Sequence, residues 1–154
     1  MDLSLRELSP SEYPWNLFLL ADPSRDAVEK YIHESVVVAL TNDECVAGVV
    51  VLTRVGEGAV EIKNIAVDPA FQGQGIGKKL LEEAIRRCRA EGAREVVIGT
   101  GNSSVGQLAL YQKVGFQIVG IDRDFFTKNY PEPIIENGIV CRDMIRLSYP
   151  LSNR

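Results

Sequence analysis

Three glycines stand at alternate positions in Phe71-Gln72-Gly73-Gln74-Gly75-Ile76-Gly77-Lys78. Bare backbone there lets successive N–H groups converge on one anion without interference from Cβ atoms. A helix that starts at such a loop adds its unpaired N–H groups and the positive end of its dipole. Lys78 and Lys79 add positive charge nearby. On physical grounds alone this is a phosphate site. Its spacing argues against two common phosphate ligands. A Walker A loop needs Ser or Thr after Gly-Lys to hold magnesium, and here Gly77-Lys78 is followed by Lys79. A dinucleotide fingerprint runs G-x-G-x-x-G in the first strand–helix turn, whereas this run is G-x-G-x-G and lies well into the chain.

The loop must be held between a strand and a helix, and the flanking residues read that way. Ala59 to Val67 is a β-branched run stopped by Asp68-Pro69, because proline has no N–H for the ladder. Ile76 to Glu91 carries Ile76, Leu80, Leu81, Ala84, Ile85 and Cys88 on one helical stripe, with Gly92 as a C-terminal cap. Glu82 with Arg86, and Glu83 with Arg87, are spaced to pair on its solvent face.

Upstream, residues 3–7 alternate as a first strand, and Ser9-Pro10-Ser11-Glu12 reads as a capping box. Pro14 to about Leu20 and Asp22 (as N-cap) to about His33 are helices. Val36 to Leu40 and Val46 to Thr53 form a hairpin. Downstream come a strand at Glu95 to Gly99, a helix at Ser104 to Val114, and strands at Phe116 to Ile121 and Ile139 to Leu147. The order β-α-α-β-β-β-α-β-α-β-β mixes hairpins with crossovers. It predicts an α/β (α+β) fold with a mixed, mostly antiparallel sheet of about seven strands and about four helices, in one domain over 1–154.

Composition narrows the function classes. A net charge of −4 and a pI near 5.1 argue against a nucleic-acid partner, and mildly favour a cationic small substrate. No apolar run approaches the roughly 20 residues of a membrane span, and Met1 to Arg6 does not open a signal peptide. Cys45, Cys88 and Cys141 are odd in number and far apart, with no C-x-x-C spacing. They read as reduced thiols of a cytoplasmic protein without a metal site. The lone histidine, His33, suits a surface or capping role at a helix end.

Gln72-x-x-Gly75-x-Gly77 resembles the Q/R-x-x-G-x-G/A signature of the GCN5-related N-acetyltransferase (GNAT) superfamily. Leu110-Tyr111-Gln112-Lys113-Val114-Gly115-Phe116 resembles that family's second motif, Ile65-Ala66-Val67-Asp68-Pro69 resembles its strand and turn, and the order of elements matches its fold. The resemblance spans nearly the whole chain and is strongest in Val60–Phe116. It implies an enzyme that moves an acetyl group from acetyl-CoA to a primary amine by direct attack in a ternary complex. It also implies coenzyme A as the only cofactor, serving as acyl donor. The backbone of Ile65, Ala66 and Val67 would bind the pantetheine arm. The amides of Gln72, Gly73, Gln74, Gly75, Ile76, Gly77 and Lys78 would bind the pyrophosphate, and Asn102 would lie near the sulfur. Tyr111 resembles the tyrosine that protonates the departing thiolate, and Glu61 the strand glutamate that serves some members as general base.

Strand alternation places Glu61, Lys63, Ile65 and Val67 on one face, and a solvated glutamate paired with a lysine is the bland alternative for Glu61. A packing aromatic is the alternative for Tyr111. Asp122–Asn137 is too long for an idle loop, and its Phe125, Phe126 and Tyr130 argue against disorder. These aromatics would wall an acceptor pocket, with Asp124, Glu132 or Glu136 holding a second positive charge, or else close a core or a homodimer contact. The amine, a small molecule or a peptide, is not named by the sequence. A coenzyme A-binding sensor without catalysis is the alternative function.

Overall fold

The computed structural model describes residues 2–151. Seven strands form one sheet in the order β1-β2-β3-β4-β5-β9-β6: β1 (Ser4–Glu7), β2 (Ser35–Thr41), β3 (Val46–Gly56), β4 (Ala59–Val67), β5 (Glu95–Gly101), β9 (Met144–Pro150) and β6 (Gln117–Asp122). All neighbours are antiparallel except β4 and β5. The helices are α1 (Trp15–Ala21), α2 (Arg25–Ile32), α3 (Ile76–Ala90), α4 (Val105–Val114) and α5 (Phe125–Asn129). A separate two-stranded ribbon pairs β7 (Ile135–Glu136) with β8 (Ile139–Val140).

Both faces of the sheet are covered, which is why β2 and β3 read as unbroken apolar runs rather than alternating ones. Val37, Ala39, Val49, Val51 and Ala66 pack with Leu17 and Phe18 of α1 and Val28 and Ile32 of α2. Val38, Leu40, Val50, Leu52, Val60 and Ile62 pack with Ile76, Leu80, Leu81 and Ala84 of α3. Helix α3 lies close on the sheet because position 48 has no side chain. A Cβ there would stand 2.8 Å from Ile76 Cγ2 and 2.9 Å from Leu80 Cδ1. Leu80 and Leu81 are fully buried, so truncating either to alanine is expected to cost about 2–5 kcal/mol.

The α3 stripe is as the sequence predicts, but Glu83 is not on a solvent face. It is buried, and its carboxylate accepts from Arg86 Nε (2.9 Å), Arg86 Nη2 (2.7 Å) and Arg87 Nε (2.7 Å). The hydrogen bonds from Arg86 are the main reason its pKa falls to about 2. Arg87 also reaches Glu7 of β1 at 3.5 Å, so this cluster of four charges ties the helix to the edge of the sheet. Asp22 is not the N-cap of α2. Ser24 is, its Oγ accepting from Ala27 N–H, while Asp22 closes α1.

Two features shape the region around the glycine loop. The parallel pairing of β4 with β5 covers only Ala59–Ile62 against Glu95–Ile98. Beyond Ile62, β4 continues with β3 and β5 continues with β9, so the two strands part and leave a gap. In addition, the β3–β4 register shifts between Val51↔Asn64 and Leu52↔Ile62, which makes Lys63 the extra residue of a bulge. A bulge breaks the period-two alternation. The shared face expected for Glu61, Lys63, Ile65 and Val67 is therefore split. Ile65 and Val67 pack on the α3 side, while Asn64 and Ala66 turn to the α1–α2 side.

The long segment after β6 is also more ordered than a loop. It contains α5 and the β7–β8 ribbon, so Ile139 and Val140 belong to that ribbon and the last sheet strand starts at Met144.

Candidate active site

Gly73 and Gly75 adopt left-handed backbone (φ +81° and +77°), and Gly75 is the residue that caps α3. A side chain would be strained at either position. Along this turn, the N–H groups of Gly73, Gln74, Gly75, Ile76, Gly77 and Lys78 meet no acceptor among the described residues. The first α3 bond is from Lys79 N–H to Gly75 O (3.1 Å). Six consecutive free amides at a helix start make a ready anion cradle. Gln72 is fixed apart from them: its Nε2 donates to Val67 O (3.3 Å) and so ties the loop to the end of β4. Gly77 lets α4 approach, since a Cβ there would lie 3.3 Å from Leu110 Cδ2.

The gap between β4 and β5 opens beside this cradle. Ile65, Ala66 and Val67 line its β4 edge, where backbone groups facing away from β3 have no strand partner. A linear chain with amide groups would fit there as a missing strand, with its phosphates on the α3 cradle. The residues present thus fit a coenzyme A molecule on observations independent of any family.

Tyr111, on α4 next to Leu110, is 3% exposed, and its ring packs 6.2 Å from that of Phe116. Its hydroxyl has no hydrogen-bond partner among the described residues, yet the one fully enclosed side-chain atom lacking a partner is Asn64 Oδ1. The Tyr111 hydroxyl therefore keeps an opening. Burial pushes its pKa above the usual phenol range, so the proton stays on oxygen at neutral pH.

Asn102 follows β5, and its side chain is engaged on both ends. Oδ1 accepts from the N–H groups of Arg142 (2.8 Å) and Asp143 (2.9 Å), and Nδ2 donates to Val140 O (3.1 Å). It pins the segment between β8 and β9 against the tip of β5. Beside it, the Ser103 and Ser104 hydroxyls donate to Glu136 Oε1 at 2.9 and 2.7 Å. Gly101 leaves room for the buried Cys141 thiol.

Glu61 lies away from α3, its side chain 16% exposed, with Lys63 Nζ at 3.2 Å from Oε1. Asn64 and Tyr31, which sequence reasoning did not single out, complete this side. Asn64 Nδ2 donates to Phe18 O (3.0 Å) and to the Tyr31 hydroxyl (3.2 Å). Lys63 Nζ stands 5.9 Å from the Tyr31 ring centroid. From the far end of the chain, Phe126 packs edge-to-face on Phe125 and tilted against Tyr130, with ring centroids 5.1 and 5.7 Å apart. The Tyr130 hydroxyl then donates to Asp22 Oδ1 (3.0 Å). Of the acids expected to hold a second charge, Glu136 is taken by the two serines and Asp124 faces Arg142 at 4.0 Å.

His33 stays at the exposed end of α2 with Glu29, and Cys88 is a core residue whose thiol burial pushes up to about 11. Among the described residues no set of His, Cys, Asp and Glu gathers to hold a metal ion, and no helix is long and apolar enough to cross a membrane.

Comparison with known proteins agrees with this geometry. The model of the acetyltransferase (GNAT) family matches residues 3–116. The uncharacterized N-acetyltransferase YvbK of Bacillus subtilis (strain 168) is 49% identical over 86% of both chains. A GNAT family acetyltransferase from Elizabethkingia anophelis, solved with acetyl-CoA bound, superposes with a TM-score of 0.94 at 43% identity, covering 97% of this chain and 99% of that one. An IAA acetyltransferase from Bacillus cereus ATCC 14579 gives a TM-score of 0.94 at 47% identity, covering 97% and 100%.

Proposed function

The chain belongs to the GNAT family of acetyltransferases, and from that premise we propose that it acetylates a primary amine directly, in a ternary complex, with Glu61 as general base and Tyr111 as general acid. It is an acyltransferase that depends on acetyl-CoA, which supplies the acetyl group as an activated thioester. The free amides from Gly73 to Lys78 would hold the pyrophosphate, and Ile65, Ala66 and Val67 the pantetheine arm. Gln72 and Asn102 act by holding the loop and the β8–β9 segment in place.

An ammonium must lose a proton before it can attack. The Glu61 carboxylate is the acid residue of β4 that faces away from α3, and it takes that proton directly or through water. Lys63, 3.2 Å from its Oε1, orients it. Tyr111 keeps a proton on its hydroxyl and delivers it to the departing sulfur. The observation that carries the reading is the conjunction of six unpaired amides with the β4–β5 gap. The cysteines Cys45, Cys88 and Cys141 are all free, which supports a cytoplasmic location.

The test is a turnover screen with acetyl-CoA over diverse amines, repeated with Tyr111→Phe and Glu61→Gln. Transfer to an amine that both substitutions impair supports the assignment. Tight coenzyme A binding with no transfer across the panel would instead make the protein a sensor of the coenzyme.

A further inference from the structure

Asp22 is a half-buried carboxylate that takes part in no ion pair among the described residues. Its Oδ1 accepts from Ser24 N–H (3.1 Å) and from the Tyr130 hydroxyl (3.0 Å), and Oδ2 has no partner. Tyr31 lies within the field of both Asp22 and Glu61. Burial, with those two charges added, pushes its hydroxyl up to about 12. Tyr130 is raised in the same way, by burial first and Asp22 next. Two carboxylates and the single ammonium of Lys63 leave this corner with one net negative charge.

A second, independent feature points to a missing donor. Asn64 is 4% exposed, and its orientation is fixed because Nδ2 must face Phe18 O. That leaves Oδ1, on the same amide that holds the Tyr31 hydroxyl, as a buried oxygen with no donor. An enclosed acceptor without a partner is costly. A carboxylate oxygen and two tyrosine rings match what an ammonium group requires, and the unpaired amide oxygen enclosed behind them adds to the negative potential there. Lys63, near the Tyr31 ring, shows that this ring already accepts one ammonium.

We propose that Asp22, Tyr31, Tyr130 and Asn64 form a subsite for a second cationic group of the acceptor, so that the preferred substrates are aliphatic diamines and longer polyamines. This rests on Glu61 facing the acceptor. A monoamine would leave Asp22 without a counter-charge, and an acceptor carrying a carboxylate would meet two acids.

The test is calorimetric titration of 1,4-diaminobutane and n-butylamine into the protein saturated with coenzyme A, for the wild type and for Asp22→Asn. The asparagine keeps the Oδ1 that Ser24 and Tyr130 use and removes only the charge. The wild type is expected to bind the diamine about tenfold or more tighter than the monoamine, the scale of a partly desolvated cation contact, and the substitution to bring that ratio near one. Equal affinities in the wild type, no measurable diamine binding, or a preference that survives Asp22→Asn would each overturn the subsite. Titration of coenzyme A alone reads the other claim. A protein that fails to bind it undermines the proposed function, whereas one that binds it but shows no diamine preference sinks the subsite alone.

Discussion

Between Gly73 and Lys78, the proposed recognition of the donor falls to consecutive backbone amides, made available by glycines in left-handed conformation. Between Asp22 and Tyr130, the proposed recognition of the acceptor falls to side chains 108 residues apart, brought together by the fold. The first region needs only a turn and a helix start, and almost any residue would do at positions where glycine is not demanded. The second needs α1, α2, β4 and α5 all in place, and each side chain is specific. A surface made of backbone suits a ligand that never varies. A surface made of side chains from four elements can be altered one residue at a time. The two halves of the proposed reaction are thus separable, and substitutions in one should leave the other intact.

The largest effect that tests this separation is expected from Gly75→Val. A β-branched residue at φ +77° is strained, and it would tilt the amides away from the anion. Coenzyme A affinity should fall about 100-fold, on the order of the strain of a β-branched left-handed residue, while amine affinity measured without coenzyme stays unchanged. If both affinities drop together, the halves are not independent. Next is Tyr111→Phe. It should lower kcat by about 100-fold, the low end of what a general acid contributes, with the KM for acetyl-CoA held. A comparable rise in KM would return Tyr111 to a packing role. Glu61→Gln should cost about tenfold in kcat/KM at neutral pH. Its deficit should shrink as pH rises, because the free amine then needs no base. A loss independent of pH would remove Glu61 from proton transfer. The smallest effect is expected from Tyr130→Phe, which deletes the hydroxyl on Asp22 but keeps the ring. Amine KM should shift about threefold, the scale of one half-exposed hydrogen bond, with coenzyme A binding untouched. A shift in coenzyme A affinity instead would place α5 on the wrong side of the comparison.

The same contrast explains what could be read from residue order. Gln72 to Lys78 and Leu110 to Phe116 are contiguous, so the family resemblance they carry is legible in the sequence alone. The succession of elements as far as β6 and the α3 stripe followed from periodicity and turn signals. Of the proposed acceptor corner, Glu61 and Tyr130 stood out in the sequence, whereas Asp22, Tyr31 and Asn64 did not, because they share no local pattern with them. Asp22 in Asp-Pro-Ser also has the look of a helix cap, a role that Ser24 fills. The bulge at Lys63 defeats alternation, since one added residue reverses which side chains share a face. One signal was present and passed over. Asn137-Gly138 between Ile135-Glu136 and Ile139-Val140 is a hairpin turn, and both turn residues take positive φ (57° and 73°).

The short contact between β4 and β5 has a consequence for the molecule as a whole. Four residue pairs, Ala59–Ile62 with Glu95–Ile98, join a four-stranded leaf to a three-stranded one. A donor seated in the gap would bridge the leaves, completing by non-covalent means a seam the polypeptide leaves open. Resistance to heat and protease would then track the supply of the thioester by mass action, and the abundance of the folded protein would follow the acetyl-CoA pool.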